Sequence, residues 1–312
     1  MEVVGVDVYG GPEALKLFEL PDPHAGPGEV RIRVYGAAVS PTDTFVRNGD
    51  RRAGQSRFPP PYVPGMDAAG ILDEIGPGTT TALAVGDRVM AIVVPRASHG
   101  AYSQYLVLPA ESVAAAPAGA DHGEASTLPM NGLTARMTLD LLALSPGQTL
   151  AVTGAAGAYG GYMVQLAKAQ GLRVIADASP ADEALVRSLG ADDVVPRGPD
   201  VAAAIRGVVA GGVDALADGS VQQSAVMPAI RDGGQFAAVR MYEGETERGI
   251  TIHQVLVSKY FKEQAKLDGL RQLVEDGKVA LRVAQRIPAA QASEAHRLLE
   301  AGGARGRFVI EF

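Results

Sequence analysis

The sequence predicts an α/β protein of two domains, a β-rich, partly open barrel and a doubly wound parallel sheet. From Val3 to about Val113, short β-rich runs alternate with Gly/Pro turns, which is typical of antiparallel, partly closed β-structure. From Pro117 to about Val257, apolar strand-like runs alternate with Ala/Leu-rich helical stretches, which is typical of a parallel sheet. The length of 312 residues also favours two cores over one.

The end of the chain predicts a return to the first domain. Helices are expected around Leu267–Glu275 and Ala290–Glu300, and a terminal strand at Phe308–Phe312. Such a tail could pack on the N-terminal β-region and make the first domain discontinuous. The stretch Arg47–Pro64 contains Pro59-Pro60-Pro61 and is expected to be a loop, because proline removes hydrogen-bond donors and disfavours helix before it.

The composition narrows the classes of partner and chemistry. The formal net charge is -7 and the arginines are scattered, so we expect a small-molecule partner and neither a nucleic acid nor a membrane. The absence of cysteine excludes disulfides, thiolate nucleophiles and Cys-ligated metal sites. A strand-like run begins directly after the first residues, so no signal peptide is expected, and no apolar stretch reaches membrane-spanning length. We therefore expect a cytoplasmic protein.

A glycine-rich turn follows the strand-like run Thr149–Thr153 and precedes an Ala-rich helix. A second strand at Arg173–Ala176 completes a βαβ unit of the size that binds dinucleotides, although an ordinary tight turn is the alternative. Glycine allows close approach of a pyrophosphate, and the helix N-terminus supplies N–H groups and a positive dipole end. The candidate cofactor contacts in this turn are Ala155, Gly157, Ala158, Tyr159 and Gly160.

The residues after the second and third strands bear on the choice of nicotinamide. Asp177 lies near the spacing at which an acid binds the ribose of NAD. Arg197, after the next strand, could instead meet the 2′-phosphate of NADP. Spacing alone leaves both cofactors open. Tyr242 follows a further parallel strand at its C-terminal end, where ligands sit in this architecture, and is a candidate cofactor neighbour.

Ten short motifs occur in order along nearly the whole chain: Gly10-Gly11-Pro12-Glu13-Ala14-Leu15, Pro27-Gly28-Glu29-Val30, Ser40-Pro41-Thr42-Asp43, Pro64-Gly65-Met66-Asp67-Ala68-Ala69-Gly70, Gly86-Asp87-Arg88-Val89, Gly132-Leu133-Thr134-Ala135, the Gly154–Gly160 turn, Leu189-Gly190-Ala191-Asp192, Asp232-Gly233-Gly234 and Gly306-Arg307-Phe308-Val309. Each is weak alone, but their order and spacing are specific. Together they resemble the zinc-lacking branch of the medium-chain dehydrogenase/reductase superfamily, the quinone oxidoreductase-like (zeta-crystallin-like) proteins.

This resemblance implies an architecture and an activity. It implies a GroES-like catalytic domain of residues 1–122 and 263–312 and a Rossmann cofactor-binding domain of residues 123–262. The expected activity is metal-free hydride transfer from NADPH to a quinone or an α,β-unsaturated carbonyl. Zinc-dependent relatives carry a Gly-His-Glu triplet where this chain has Gly65-Met66-Asp67, so no metal is expected. A homodimer is also implied, through the strand region Ile250–Val257, which would otherwise be an exposed apolar edge.

Alignment to the family pattern shifts the cofactor prediction towards NADPH. Ala178 takes the position that separates NAD from NADP, Ser179 follows it, and Asp177 falls one residue earlier. Arg197 matches a position near the adenosine phosphate. Arg305 and Arg307, in the last Gly-rich run, could reach the pyrophosphate, and solvated loop arginines are the alternative for both.

The resemblance also suggests three residues for the chemistry. Ser40 stands where the family usually has Asn. Thr134 lies in the Gly132-Leu133-Thr134-Ala135 segment, which approaches the nicotinamide ribose, and Asn131 immediately precedes that segment. The alternatives are a turn role for Ser40 before Pro41 and a helix N-cap for Asn131. Two other functions stay open: an enoyl-thioester reductase, and a non-catalytic NADPH-binding sensor or structural protein on the same fold.

Overall fold

In a computed structural model of the protein, residues 1–55 and 57–312 are described, and they form two compact units. The β-rich unit comprises Met1–Met130, Phe261–Glu275 and Leu281–Phe312. The parallel-sheet unit comprises Asn131–Tyr260 and Asp276–Ala280. The predicted fold class, a GroES-like domain with a Rossmann domain, is confirmed.

The strands of the described residues are β1 (Glu2–Gly5), β2 (Lys16–Glu19), β3 (Glu29–Ala38), β4 (Asp67–Ile75), β5 (Arg88–Ile92), β6 (Tyr105–Pro109), β7 (Val113–Ala115), β8 (Thr149–Thr153), β9 (Arg173–Ala178), β10 (Asp193–Pro196), β11 (Val213–Asp218), β12 (Ile230–Ala238), β13 (Thr251–Gln254), β14 (Val283–Pro288) and β15 (Arg307–Glu311). The α-helices are α1 (Pro41–Arg47), α2 (Arg52–Gln55), α3 (His122–Ser126), α4 (Pro129–Leu142), α5 (Ala158–Ala169), α6 (Glu183–Ser188), α7 (Val201–Val208), α8 (Gln264–Glu275) and α9 (Ala292–Ala301).

The sheet of the parallel-sheet unit has the strand order β10-β9-β8-β11-β12-β13, with every neighbouring pair parallel. Counted from β8, this is the 3-2-1-4-5-6 order of dinucleotide-binding sheets, in which the direction of winding reverses between the first and fourth strands. The reversal therefore lies between β8 and β11. Leu150 and Ala151 on β8 are fully buried, as expected for strands covered on both faces.

The main sheet of the β-rich unit is held together by β3, which pairs with β4, β6 and β15. Alternate residues of β3, Val30, Ile32 and Val34, are buried, which is the period of a strand with one face on a core. The C-terminal β15 pairs antiparallel with β3, so that Val309 lies opposite Ala38. The predicted return of the chain end to the N-terminal β-region is thereby confirmed.

The segment 47–64 departs from its prediction as a loop. Arg52–Gln55 forms the short helix α2, and Ser56 lies outside the described residues. The prediction was wrong for these four residues and for Arg47, the last residue of α1, because the proline run at Pro59–Pro61 restricts only the residues close before it. In the described part of the chain, no helix is both long and apolar enough to cross a membrane.

Candidate functional site

The glycine-rich turn joins β8 to α5 and requires glycine at two positions. Gly154 has a left-handed backbone with φ 68°, and a Cβ there would lie 2.9 Å from the carbonyl carbon of Gly219. A Cβ at Gly160 would lie 2.2 Å from the oxygen of Gly154, so that α5 can pack this closely on the turn only with glycine. Gly157 caps α5, whose first N–H groups have no acceptor within the helix. The turn can therefore cradle an anionic group.

Asp177, near the end of β9, contacts this turn. Its Oδ1 accepts a hydrogen bond from the N–H of Ala155 at 3.1 Å, and the residue is 4% exposed. Burial raises the pKa of Asp177, while the backbone hydrogen bonds of Ala155 and Gly154 and the charge of Arg197 act in the opposite direction. The acid that spacing associates with the ribose of NAD is thus engaged in holding the turn.

The residues predicted to choose the cofactor lie together at the ends of β9 and β10. The N–H of Arg197 donates to the carbonyl of Ala178 at 2.9 Å, and the Arg197 residue is exposed. The Ser179 hydroxyl donates to Oδ2 of Asp182 at 2.5 Å. Asp182 is a buried acid that the sequence reasoning missed, although its spacing of three residues from Ser179 is a common turn pattern.

A second group missed by sequence reasoning lies at the ends of β8 and β11, where the winding reverses. The hydroxyl of Thr153 donates to Oδ1 of Asp218 at 2.7 Å, and the N–H of Gln223 donates to Oδ2 at 2.7 Å. Val221, between them, has a φ of 58°, which is costly for a β-branched residue. The sequence signal was the acid Asp218 at the end of a buried strand, followed by Gly219.

Helix α4 carries the predicted residues Asn131 and Thr134 one turn apart. Both are nearly buried, at 9% and 8% exposed. The helix begins at Pro129, so Asn131 lies within its first turn and is not its N-cap. Further along, the hydroxyls of Thr138 and Tyr159 lie 3.0 Å apart, and burial raises the pKa of Tyr159. The Thr138 hydroxyl also contacts the backbone of α4, where it donates to the carbonyl of Thr134 one turn earlier.

Tyr242 lies beyond the C-terminal end of β12. Its hydroxyl donates to the carbonyl of Glu245 at 3.2 Å, and its N–H donates to Oε1 of Gln254 at 3.2 Å. The ring meets Phe236 edge to face, with centroids 5.4 Å apart. These contacts fix the Tyr242 ring at the strand end where it was predicted.

In the β-rich unit, Ser40 begins α1 and is 1% exposed. Its N–H donates to Oδ2 of Asp43 at 2.7 Å, as in a capping box. Its hydroxyl lies 2.6 Å from that of Thr42, which in turn donates to the sulfur of Met66 at 3.1 Å. Ser40 therefore has the predicted turn role and also belongs to a small group of two hydroxyls and a thioether. Of the three residues in this group, the sequence had indicated only Ser40 as a site residue.

Asp43 connects this group to the neighbouring segment. Its Oδ1 accepts from the N–H of Gly65 at 3.1 Å, and its Oδ2 accepts from the hydroxyl of Tyr102 at 3.1 Å. The carboxyl is fully buried, and burial raises its pKa to about 6 against the lowering effects of its backbone hydrogen bonds and of Arg307. Asp43 therefore holds the start of α1 against the turn that precedes Met66.

The two arginines predicted for the pyrophosphate have different surroundings. Arg307 is 3% exposed and donates to Oδ2 of the fully buried Asp67 at 2.8 Å and to the carbonyls of Ala38 and Val39. These are the contacts of a structural ion pair. Arg305 is half-buried and donates to the carbonyl of Ala304 at 3.1 Å.

Two family models match the chain. Residues 26–118 match the alcohol dehydrogenase GroES-like domain, and residues 189–310 match the zinc-binding dehydrogenase family.

Three curated proteins illustrate the sequence likeness. The chain is 36% identical over 174 residues to the pikromycin polyketide synthase component PikAII of Streptomyces venezuelae, over 55% of this chain and 4% of that protein. It is 34% identical over 203 residues to the chloroplastic quinone-oxidoreductase QR1 of Triphysaria versicolor, over 62% of this chain and 60% of that protein. The alignments thus span less than two thirds of these two relatives. With a 2-haloacrylate reductase of a Burkholderia species it is 29% identical over 329 residues, covering 96% of both.

Two solved structures illustrate the likeness in fold. A crystal structure of an NAD-dependent alcohol dehydrogenase has a TM-score of 0.88 and 31% identity, with full coverage of both chains. A mycobacterial protein complexed with NADPH has a TM-score of 0.85 and 27% identity, again with full coverage of both.

The fold and the glycine-rich turn define an oxidoreductase of a class that binds nicotinamide cofactors. The chain belongs to the medium-chain dehydrogenase/reductase superfamily and is quinone oxidoreductase-like within it, as the sequence motifs predicted. Its place in the zinc-lacking branch stays a prediction.

The name of the zinc-binding dehydrogenase family implies that some of its members bind zinc. The residues at the corresponding place in this chain do not fit that ion. Met66 offers a thioether in place of an imidazole, Asp67 is paired with Arg307, and the chain has no cysteine. Among residues 1–55 and 57–312, no cluster of three or more His, Cys, Asp or Glu side chains is arranged to hold a metal.

Proposed function

We propose that the protein is an NADPH-dependent, metal-free reductase that transfers hydride to a quinone or an α,β-unsaturated carbonyl. One observation carries the proposal: the Gly154–Gly160 turn follows the first strand of a 3-2-1-4-5-6 parallel sheet, with Arg197 after the third strand. The names of the relatives give the acceptor class, since a quinone and 2-haloacrylate both contain a carbon–carbon double bond conjugated to a carbonyl.

The proposed cofactor contacts come from the C-terminal ends of four strands of the parallel sheet, β8, β9, β10 and β12. The turn would hold the pyrophosphate through Ala155, Gly157, Ala158, Tyr159 and Gly160, and Tyr242 would lie near the cofactor. Ala178, Ser179 and Arg197 would meet the adenosine 2′-phosphate. The burial of Asp177 against the turn supports NADPH, because a carboxylate that is 4% exposed and bonded to the backbone has little surface to offer a ribose. Arg305 stays a candidate, whereas the buried contacts of Arg307 favour a structural role.

When bound, the nicotinamide supplies the hydride. The residues of this chain have to orient the cofactor and the acceptor and to stabilise the oxygen on which negative charge develops. We assign Asn131 and Thr134 to orienting the nicotinamide end. Ser40, with its neighbour Thr42, would donate a hydroxyl hydrogen bond to the acceptor oxygen, since either hydroxyl can rotate away from its present partner.

The first test is NADPH oxidation with a panel of quinones and enones. Turnover of at least one acceptor is expected in the wild type, together with loss of NADPH binding in Gly160→Ala, because the added Cβ would meet the Gly154 oxygen. Gly207→Ala is the matched control, since a Cβ there meets nothing within 4 Å. Failure to bind NADPH and to turn over any acceptor would refute the proposal, and tight binding without turnover would indicate a sensor or structural protein.

A second candidate is an enoyl-thioester reductase. It is favoured by the 36% identity to a polyketide synthase component over 174 residues. A crotonyl thioester of N-acetylcysteamine separates the two. A higher kcat/KM for the thioester than for every quinone and free enone would favour this candidate.

The cytoplasmic location stays a prediction.

We further propose that the protein forms a homodimer through β13. β13 pairs with β12 and ends the observed strand order, so its outer backbone groups form an edge of the sheet. Pairing of two such edges, one from each subunit, would provide hydrogen-bond partners for these backbone groups. Light scattering at micromolar concentration is expected to give the mass of a dimer, and a monomer mass would contradict this.

A further inference from the structure

A chain of buried hydrogen bonds extends from Asp43 across the β-rich unit. It links Arg47 at the end of α1, His296 on α9, Tyr102 in the loop before β6, and Asp43. Nη1 of Arg47 lies 3.3 Å from Nδ1 of His296, Nε2 of His296 lies 3.1 Å from the Tyr102 hydroxyl, and that hydroxyl lies 3.1 Å from Oδ2 of Asp43. None of the four residues is more than 3% exposed.

The direction of these hydrogen bonds follows from the chemistry of the groups. A guanidinium has donors and no acceptor, so Nδ1 of His296 must accept from Arg47. The proton of the neutral imidazole is then on Nε2, which donates to the oxygen of Tyr102. Tyr102 is left to donate its own proton to Asp43. Every hydrogen bond in the chain therefore points from the guanidinium towards the carboxylate.

The outer end of the chain is anchored. Arg47 donates to Oε1 of Glu300 at 2.5 Å and to the carbonyl of Gly10 at 3.2 Å. Burial and the neighbouring Arg47 lower the pKa of His296 to about 3, which agrees with a neutral ring. The Tyr102 ring packs edge to face on the imidazole, with centroids 5.8 Å apart. Both the charge state and the orientation of His296 are thus constrained.

The inner end of the chain acts on the group that we assign to acceptor binding. Asp43 accepts from the N–H of Ser40 and from that of Gly65, the residue before Met66. A carboxylate can accept several such bonds, whereas a protonated carboxyl gives up acceptor capacity. Keeping Asp43 ionised therefore keeps the hydroxyls of Ser40 and Thr42 beside the sulfur of Met66.

We propose that His296 and Tyr102 are positioning residues, which hold Asp43 as the acceptor that aligns Ser40 for the bound substrate. This inference rests on the proposed function. The other charged groups that act on Asp43 are Arg307 on β15, which favours the ionised carboxyl, and Asp67 on β4, which opposes it. Neither donates a hydrogen bond to Asp43 in the described contacts, so the chain from Arg47 supplies the side-chain donor.

The kinetic test uses Tyr102→Phe, which removes the donor and preserves the ring. Loss of a hydrogen bond to a buried charged group is expected to lower kcat/KM for the acceptor by about tenfold. In the pH profile of kcat/KM, the acidic limb should shift to higher pH by about one unit, because a carboxylate without its donor protonates more readily. The Kd for NADPH should stay unchanged. Tyr260→Phe is the matched control, since it removes a similar tyrosine hydrogen bond, to Asp140 at 2.9 Å.

A second pair of variants tests His296 itself. A glutamine amide offers both an acceptor and a donor, so His296→Gln should retain most of the wild-type acidic limb. His296→Leu fills the space without either group and should move the acidic limb in the same direction as Tyr102→Phe but by less, because Tyr102 keeps its own proton for Asp43. Equal effects of Gln and Leu would show that the imidazole only fills space, and this would overturn the proposal.

The third readout does not depend on turnover. The chain contains five histidines, so nitrogen-15 labelling of histidine gives few imidazole signals, and His296→Gln identifies the relevant one. The neutral ring with its proton on Nε2 is expected from pH 5 to pH 8. A proton on Nδ1, or a charged ring at pH 6, would overturn the proposal even if an active enzyme is found. Absence of turnover with every acceptor would refute the proposed function, and the NMR signal would still decide the direction of the chain.

Discussion

The carboxylate of Asp177 accepts a hydrogen bond from the N–H of Ala155 at 3.1 Å, within the turn that would hold the cofactor. An acid in this region of a dinucleotide-binding unit commonly binds the ribose diol of NAD. Here its observed partner is the backbone of the turn. Under the proposed function, we therefore assign the choice of cofactor to Ala178, Ser179 and Arg197.

Asp177→Ala is expected to weaken binding of both nicotinamide cofactors. The change leaves the N–H of Ala155 without its acceptor, so we expect the Kd for NADPH and that for NADH each to rise by roughly tenfold. Asp177→Asn, which keeps an acceptor oxygen, is the control and should raise both Kd values less than Asp177→Ala does. Fluorescence titration gives the four values. A loss confined to NADH would show that Asp177 contacts the ribose instead.

Arg197→Ala is expected to affect NADPH alone. A guanidinium contact with a phosphate is charge-assisted, so its loss should raise the KM for NADPH by about tenfold and leave the KM for NADH unchanged. Arg187→Ala, which removes an exposed arginine paired with Glu183 on α6, is the matched control. An equal change with both cofactors would argue against a 2′-phosphate site at Arg197.

The buried pair of Arg307 and Asp67 is expected to act on stability. Arg307→Met leaves the Asp67 carboxylate buried without its partner, and removing one member of such a pair costs about 3–5 kcal/mol. Adding Asp67→Asn should recover much of this loss, because the uncompensated charge is then absent. Urea denaturation measures the free energy of unfolding. A stable Arg307→Met with weakened NADPH binding would instead favour a pyrophosphate contact.

The buried carboxyl of Asp43 predicts a pH dependence of stability. Its pKa is raised by burial from 3.8 to about 6, so the folded protein binds this proton more tightly than the unfolded chain. The stabilisation is complete below about pH 4 and is lost as pH rises through 6, amounting to roughly 3 kcal/mol. The difference in free energy of unfolding between wild type and Asp43→Asn should therefore change in this window. No change between pH 4 and 7 would contradict the assignment.

The sequence predicted the cofactor-binding fold better than it predicted the side-chain contacts. The strand Thr149–Thr153 agrees with β8, and the second strand ends two residues later than expected, at Ala178. These elements depend on local periodicity and on glycine, which spacing reveals. The pairing of Arg47 with His296 joins residues 249 positions apart, and no local pattern indicates it. The partner of Asp177 likewise depends on the register of two strands.

The most direct test of the account is the transfer of deuterium from NADPH labelled at C4 to an enone. The wild type is expected to give a reduced product that carries one deuterium at the β-carbon, detected by mass spectrometry, with NADPH favoured over NADH. Product without deuterium, or no product from an enzyme shown to bind NADPH, would contradict direct hydride transfer and with it the proposed function.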